Sequence, residues 1–137
     1  MHAHQIISMH PHVRGGTNDV LIQCIEECYD CSQTCSSCAD ACLGEQMAQQ
    51  LTQCIRTCLD CADVCFTTGQ ISTRRTGSNE RLIASMLATC EEACRICAEQ
   101  CERHAGTHEH CRMCAEACRR CERACREARQ TFSPSIQ

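Results

Sequence analysis

The chain has 137 residues, with 17 acidic and 13 basic side chains and a formal net charge of −4, which is the size of one domain. Nineteen residues are cysteine, whereas the aromatic residues are one Tyr and two Phe. Because no basic stripe with interleaved aromatic residues is present, the composition argues against nucleic acid as a partner.

Residues 1–16, "MHAHQIISMHPHVRGG", form a predicted N-terminal arm that Pro11 and Gly15-Gly16 separate from the rest. The arm carries four histidines: His2, His4, His10 and His12. Its apolar pair, Ile6-Ile7, is too short for the hydrophobic segment of a signal peptide, and no later apolar run is long enough to cross a membrane. We therefore expect a cytosolic protein without a membrane partner, in a compartment where cysteine clusters more often bind metal than form disulfides.

The first predicted helix of the folded domain, about 17–43, carries the segment "CIEECYDCSQTCSSCADAC". Its six cysteines follow one another at intervals of 4, 3, 4, 3 and 4 residues, the heptad spacing that places side chains on one face of a helix. Thr17, Asn18 or Asp19 can cap its start, and Gly44 can end it in a left-handed conformation. The pattern predicts an amphipathic helix whose buried stripe consists of thiols.

Three further helices repeat this stripe, at about 45–68, 78–105 and 107–131. The short connections at 43–45 and 105–107 favour antiparallel hairpins. The predicted fold is therefore all-α: an antiparallel up-down-up-down four-helix bundle with a cysteine-lined core, spanning residues 17–132, followed by a tail at 133–137. The stripes contain Cys24, Cys28, Cys31, Cys35, Cys38, Cys42, Cys54, Cys58, Cys61, Cys65, Cys90, Cys94, Cys97, Cys101, Cys111, Cys114, Cys118, Cys121 and Cys125.

Two explanations without metal account poorly for these cysteines. Neighbours three or four residues apart on a helix have Cβ atoms about 5–6 Å apart, whereas a disulfide needs them near 3.8 Å, and an odd count cannot pair completely. A single buried cysteine is usually an apolar filler. A whole stripe chosen for packing, however, would consist mainly of Leu, Ile, Val and Ala. Leu51 and Leu87, at the ends of two stripes, show that such ordinary core residues are tolerated there.

Metal binding is the remaining explanation, and the spacing favours Cu(I). Zinc sites need four convergent ligands, and iron–sulfur clusters use four-thiolate sets with their own spacings, whereas these cysteines form continuous lines. Cu(I) prefers thiolates and accepts two or three of them. With metal–sulfur bonds near ~2.3 Å, a linear S–Cu–S unit spans roughly 4.5 Å, which neighbouring stripe positions can offer.

The four stripes resemble those of the bacterial copper storage proteins, which are four-helix bundles filled with cysteine, over roughly residues 17–130. Some members carry a twin-arginine export signal. Since the Arg74-Arg75 pair here is internal, the chain is similar to the cytosolic branch. This resemblance implies a homotetramer that binds many Cu(I) ions within each bundle.

The antiparallel order divides the remaining residues between two ends of the bundle. Val20, Leu21, Ile83, Met86, Leu87 and Phe132 are predicted to form an apolar plug at one end. The other end, where copper would enter, gathers the ends of the cysteine stripes together with histidine and methionine. His104 continues the stripe of the third helix beyond Cys101, and His108 and Met47 lie near it. The predicted metal ligands are therefore all nineteen cysteines together with His104, His108 and Met47.

The function predicted from the sequence is storage of multiple Cu(I) ions without catalysis, with a copper donor or acceptor as partner. Three alternatives remain open. One is a zinc or cadmium buffer of the metallothionein type, and another is an electron carrier with an iron–sulfur cluster. The third is a structural bundle in which cysteine only fills the core.

Overall fold

The computed structural model describes residues 2–132 and is helical, with no strand among these residues. A short helix, α1 (Ala3–Ser8), precedes four long helices. These are α2 (Asp19–Leu43), α3 (Thr52–Ser72), α4 (Glu80–His104) and α5 (Glu109–Gln130), and one turn of 3₁₀-helix at Ala48–Leu51 leads into α3. The predicted tail at 133–137 lies outside the described residues.

The start of α2 follows the prediction, but its end does not. The side chain of Asn18 accepts a hydrogen bond from the backbone N–H of Leu21 at 3.2 Å, which satisfies one of the free donors of the first turn. Gly44 ends the helix with φ −82°, so the left-handed cap predicted there is wrong. Its N–H bonds to the carbonyl groups of Asp40 and Ala41, and the chain continues in a right-handed turn.

Gly69 lies inside α3 and does not end it, so this helix runs four residues further than predicted, to Ser72. A side chain at Gly69 would meet the ring of Tyr29 at 2.9 Å. The ring of Tyr29 packs closely against this glycine, and its hydroxyl accepts a hydrogen bond from Gln70 at 2.9 Å. The absence of a side chain at Gly69 therefore allows α2 and α3 to approach closely. The glycine is needed for helix packing and not for ending the helix.

The four long helices run up, down, up and down. Helices α2 and α5 are antiparallel, because residues near the start of α2 contact residues near the end of α5 and the reverse. The Sγ–Sγ distances are 3.6 Å for Cys24–Cys125, 3.8 Å for Cys31–Cys118 and 3.9 Å for Cys42–Cys111. Helices α2 and α4, on the diagonal of the bundle, are parallel, since the contacting pairs Cys28–Cys90 and Cys35–Cys97 have the same sequence separation of 62 residues. This is the topology predicted from the short connections.

The N-terminal segment packs against the bundle instead of forming a separate arm. Ile7 of α1 is 3% exposed and joins the apolar cluster around Leu21 and Ile22. Outside this contact, the His10 ring hydrogen-bonds to Thr76 at 3.0 Å. The expectation of a separate arm is wrong for these residues, because Ile7 is buried in the core cluster and Ala3 and Val13 pack against it.

The apolar plug exists, with two changes in its membership: Val20 faces outward, and Met86 is only partly buried and does not belong to the core cluster. Leu21, Ile83 and Leu87 are at most 1% exposed and Phe132 is 7% exposed, whereas Val20 is 41% exposed and faces outward. Within residues 2–132, no helix is both long and apolar enough to cross a membrane.

Candidate metal centre

All nineteen cysteines point into the interior of the bundle as free thiols, none more than 2% exposed. The heptad spacing brings the stripes of all four long helices to a common axis. The thiols therefore replace the large aliphatic side chains that would fill an ordinary bundle, and aliphatic residues are concentrated at the end that the N-terminal segment covers.

The Sγ atoms are close to one another both along and between helices. Neighbours four residues apart on one helix are separated by 3.8–4.0 Å. Between helices the separations include 3.5 Å for Cys35–Cys118 and 3.6 Å for Cys65–Cys94. These values are below the 4.5 Å expected for linear S–Cu–S units, and they match three-coordinate copper, for which bonds of ~2.3 Å place the sulfur atoms about 4.0 Å apart.

The thiols also form groups of four, so the expectation that the cysteines make only continuous lines without four convergent ligands is wrong. In each group the four Sγ atoms lie within 4.8 Å of one another, and the groups share members. Cys31, for example, belongs to a group with Cys65, Cys94 and Cys121 and also to a group with Cys35, Cys61 and Cys118. Because the groups overlap, the core is one continuous network of ligands, in which a thiolate can bridge two ions.

The surroundings of the thiols contain little that could stabilise an isolated charge. Among residues 2–132, the buried polar or charged side chains are Thr57, Thr68, Ser72 and Glu122. Near one end of the network, burial raises the pKa of the Cys42 thiol to about 12 and also raises the pKa of Cys111. These thiols remain neutral at physiological pH until a metal ion replaces the proton.

Cys42 and Cys111 lie at the end of the bundle formed by residues 43–52 and 104–110, which we call the mouth. Here the Nδ1 atom of His110 lies 3.4 Å from the Sγ atom of Cys38, 3.6 Å from that of Cys111 and 4.0 Å from that of Cys42. The Nε2 atom of the same ring lies 2.8 Å from a carboxylate oxygen of Glu45. His110 was not among the predicted ligands, although it precedes Cys114 by four residues and so falls on the same helix face.

The charges at the mouth support each other. Burial alone would lower the pKa of His110, but its hydrogen bonds to Cys38 and Glu45 outweigh burial and raise the pKa above its ordinary value. The pKa of the Glu45 carboxyl is lowered, chiefly by the hydrogen bond with His110. The carboxylate therefore favours a ring whose Nε2 carries a proton, which leaves Nδ1 facing the thiols.

The three predicted mouth ligands, His108, His104 and Met47, make no side-chain hydrogen bond to a thiol within residues 2–132. The Nδ1 atom of His108 is 3.2 Å from the Glu45 carboxylate, and its ring stacks on that of His110 with centroids 5.4 Å apart. His104 is the last residue of α4, and no hydrogen bond or ion pair within residues 2–132 joins its ring to a thiol. Met47 is 51% exposed in the turn before α3. The mouth thus brings His108 and His110 together around Glu45, and it does not join His104 or Met47 to them by a side-chain hydrogen bond or ion pair within residues 2–132.

Ion pairs on the outside of the bundle hold α4 against α5. Arg119 pairs with Glu102 at 2.9 Å, and Glu91 accepts from both Arg129 at 2.7 Å and Arg126 at 3.0 Å. These charges face away from the core and do not reach the thiols, so they stabilise the bundle without supplying metal ligands.

Comparisons with known proteins agree with this geometry. A family model described as "Copper storage protein" matches residues 17–130. The chain is similar to the solved structure of the copper storage protein Ccsp from Streptomyces lividans loaded with 10 copper equivalents, with 47% identity and a TM-score of 0.87 over 91% of this chain and 96% of that chain. It is also similar to a cytosolic copper storage protein from Streptomyces lividans with five coppers, with 51% identity and a TM-score of 0.78 over 80% of this chain and 91% of that one. None of the curated proteins matches the chain significantly.

Proposed function

Because the chain belongs to the copper storage protein family, we propose that it stores many Cu(I) ions in the cytosol on the thiolates that line its bundle core. The observation that carries this proposal is the overlap of the four-thiol groups. In discrete metal sites each ligand binds only one ion. Thiols that belong to two groups are instead suited to a row of ions connected by bridging thiolates.

The charge of the core favours Cu(I) as cargo. Cu(I) is soft and prefers thiolate ligands, and each ion that binds displaces about one thiol proton. One Cu(I) per thiolate leaves the filled core nearly neutral, which matters where few buried polar groups are present to solvate charge. We expect the nineteen cysteines to hold on the order of 15 to 20 ions per chain through bridging.

Copper enters and leaves at the mouth. At the opposite end Leu21, Ile83 and Leu87 fill the axis, and the N-terminal segment covers them through Ile7. At the mouth the Nδ1 atom of His110 lies within 4.0 Å of three thiols. Met47, His104 and His108 are weaker ligands further out, suited to passing an ion inward.

The stored copper is cargo and the protein is not an enzyme. The thiols are at most 2% exposed, so an ion bound among them has no room for a substrate. A copper donor or acceptor must exchange ions at the mouth.

The subunits assemble into a homotetramer, for which exposed apolar side chains on the outer faces of α3 and α4, including Leu59, Phe66 and Ile96, provide interface area.

Anaerobic titration of the reduced protein with Cu(I), and separately with Zn(II), tests the storage function. We expect thiolate-to-copper charge-transfer absorption to rise until about 15 to 20 Cu(I) ions are bound. Saturation at four or five ions would contradict storage and would favour discrete four-thiolate sites. Iron and visible colour in the freshly purified protein would instead favour an iron–sulfur carrier.

A further inference from the structure

One group of ligands at the mouth differs from all the four-thiol groups in the core. It consists of Cys38, Cys42, Cys111 and His110, and we call it the mouth quartet. Its ligand atoms are separated by 3.4, 3.6 and 4.0 Å between Nδ1 and the three Sγ atoms, and by 3.9 Å between the Sγ atoms of Cys42 and Cys111. Three sulfur atoms and one imidazole nitrogen form a common ligand set of structural zinc sites.

These separations agree with a tetrahedral zinc site. Bonds of about 2.3 Å to sulfur and 2.0–2.1 Å to nitrogen place tetrahedral ligands about 3.8 Å apart for two sulfur atoms and about 3.6 Å apart for sulfur and nitrogen. The three nitrogen–sulfur distances in the mouth quartet scatter around the second value, and the 3.9 Å between the Sγ atoms of Cys42 and Cys111 is close to the first, so these pairs of ligand atoms need little movement to accommodate an ion of this size.

The ligand histidine is also supported in the way that zinc sites require. A histidine that binds zinc through one ring nitrogen usually donates the other N–H to a carboxylate, which fixes the tautomer and strengthens the ligand. Here Nε2 of His110 lies 2.8 Å from Glu45, in the turn between α2 and α3. The same carboxylate oxygen lies 3.2 Å from His108, which stacks against His110 and restricts its ring.

Charge explains why zinc would bind at the mouth and not in the core. A Zn(II) ion with four thiolates leaves two negative charges, which a core with few buried polar groups cannot solvate. Three thiolates and a neutral imidazole leave one negative charge. In the mouth quartet this charge lies beside His110 and His108, whose side chains are 26% and 20% exposed and so remain within reach of solvent.

We propose that the mouth quartet binds one Zn(II) ion in the copper-free protein and that this ion closes the mouth. Zinc holds Cys38, Cys42 and Cys111 as thiolates, and incoming Cu(I), the softer ion, must displace it before copper reaches the inner thiols. The binding site stands on its own geometry, whereas its role as a gate rests on the proposed storage function.

The test is an anaerobic titration of the reduced, metal-free protein with Zn(II) in competition with a chromophoric zinc chelator. Co(II) serves as a spectroscopic substitute that reports tetrahedral geometry through intense visible bands and thiolate ligation through ultraviolet charge transfer. We compare the unaltered protein with His110→Ala, Glu45→Gln and, as a matched control at the far end of the bundle, His12→Ala. Each variant is also titrated with Cu(I) and examined by circular dichroism.

We expect one Zn(II) per chain to bind at least tenfold more tightly than any further ion. The Co(II) spectrum should show a tetrahedral site with three thiolate ligands. His110→Ala should abolish the preference for one tightly bound ion. Glu45→Gln should lower the affinity for this Zn(II) by about 10- to 100-fold, and His12→Ala should leave the affinity unchanged. Several equivalents of equal affinity, or one tight ion that persists in His110→Ala, would overturn the proposal.

The Cu(I) titrations separate this inference from the storage function. If zinc binding fails these criteria while the protein still takes up about 15 to 20 Cu(I) ions, the mouth site is wrong and storage stands. If copper uptake saturates at four or five ions while one Zn(II) depends on His110, storage is wrong and the zinc site stands. For the gate, the protein holding one Zn(II) should load Cu(I) several-fold more slowly than the zinc-free protein, and equal rates would exclude it.

Discussion

The Sγ atoms of Cys35 and Cys118 lie 3.5 Å apart, although 83 residues separate these cysteines in the chain. Cys35 is also 3.6 Å from Cys114 and 3.8 Å from Cys31. Each of these thiols therefore has neighbours on its own helix and on another one. Ligands from two helices are available to an ion at this point, so we expect that removal of a few ligands affects local ions and leaves the rest of the network intact.

Replacing both Cys35 and Cys118 by Ala should lower the copper capacity by about two ions, since roughly one thiolate is lost for each ion. The measurement is the endpoint of an anaerobic Cu(I) titration. Ser36→Ala, at an exposed position on the same helix, is the control and should keep full capacity. An unchanged endpoint, or a loss of half the ions, would show that the thiols do not act as independent members of a shared network.

The metal-free, reduced protein should be helical with all nineteen thiols free. Its core is already packed without metal, since all nineteen cysteines are free and at most 2% exposed. A zinc finger, by contrast, depends on its metal for folding. Circular dichroism after chelation, and thiol counting in denaturant, provide the measurement. A random-coil spectrum would show that copper is needed to fold the bundle.

His110→Phe should slow copper loading and its removal by a competing chelator, and should reduce capacity by only one or two ions. Phenylalanine keeps the bulk of the ring but removes the Nδ1 atom that lies 3.4 Å from Cys38. The rates are followed by stopped-flow absorption in zinc-free buffer.

His104→Phe is the comparison for this prediction. The His104 ring makes no hydrogen bond or ion pair with a thiol in the described part of the chain, so we expect a smaller effect on rate. Ile83→Ala at the plug should lower stability by roughly 2–5 kcal/mol without changing the rates. If the plug variant changes the rates and the His110 variant does not, copper enters at the opposite end.

Ile7→Ala should destabilise the copper-free protein by roughly 2 kcal/mol, near the lower limit for a buried isoleucine, because a six-residue helix can also detach locally. Ile7 is 3% exposed. The neighbouring Ile6 is 64% exposed, so Ile6→Ala should change the free energy of unfolding by less than about 0.5 kcal/mol. Urea denaturation of both variants gives the values. Equal losses would mean that α1 does not cover the plug.

Glu91→Gln should lower stability at neutral pH by up to about 1 kcal/mol, the range for partly exposed ion pairs. Burial tends to raise the pKa of Glu91, but Arg129 and Arg126 outweigh it and hold the pKa below its ordinary value of 4.5. A carboxyl whose pKa is lowered on folding stabilises the protein above its unfolded-state pKa, and this contribution disappears as the pH falls through the folded-state value.

Denaturation of this variant at pH 7 and at pH 3 provides the measurement. The difference between the unaltered protein and Glu91→Gln should shrink at pH 3. Glu92→Gln, which removes only the pair with Arg95 on the same helix, should cost about 0.2–0.5 kcal/mol at neutral pH. A difference for Glu91→Gln that grows in acid would contradict the assignment.

The sequence by itself determined the four long helices and the burial of every cysteine. Intervals of four and three residues place side chains on one helical face whatever the neighbouring helices do. The short connections likewise required neighbouring helices to be antiparallel. Leu21, Ile83 and Leu87 could be assigned to the closed end on the same grounds, because their positions along the helices follow from the chain order.

Only the tertiary structure decided which ligands meet. The rhythm continued from Cys101 to His104, but α4 ends at His104, so the helical spacing no longer fixes where that ring lies. His110, on the next helix, reaches Cys38 across the mouth because α5 and α2 pack side by side. The overlap of the four-thiol groups likewise depends on how far each helix is rotated and shifted against its neighbours. Local periodicity says which face of a helix is buried, whereas distances between helices depend on the packing of all four.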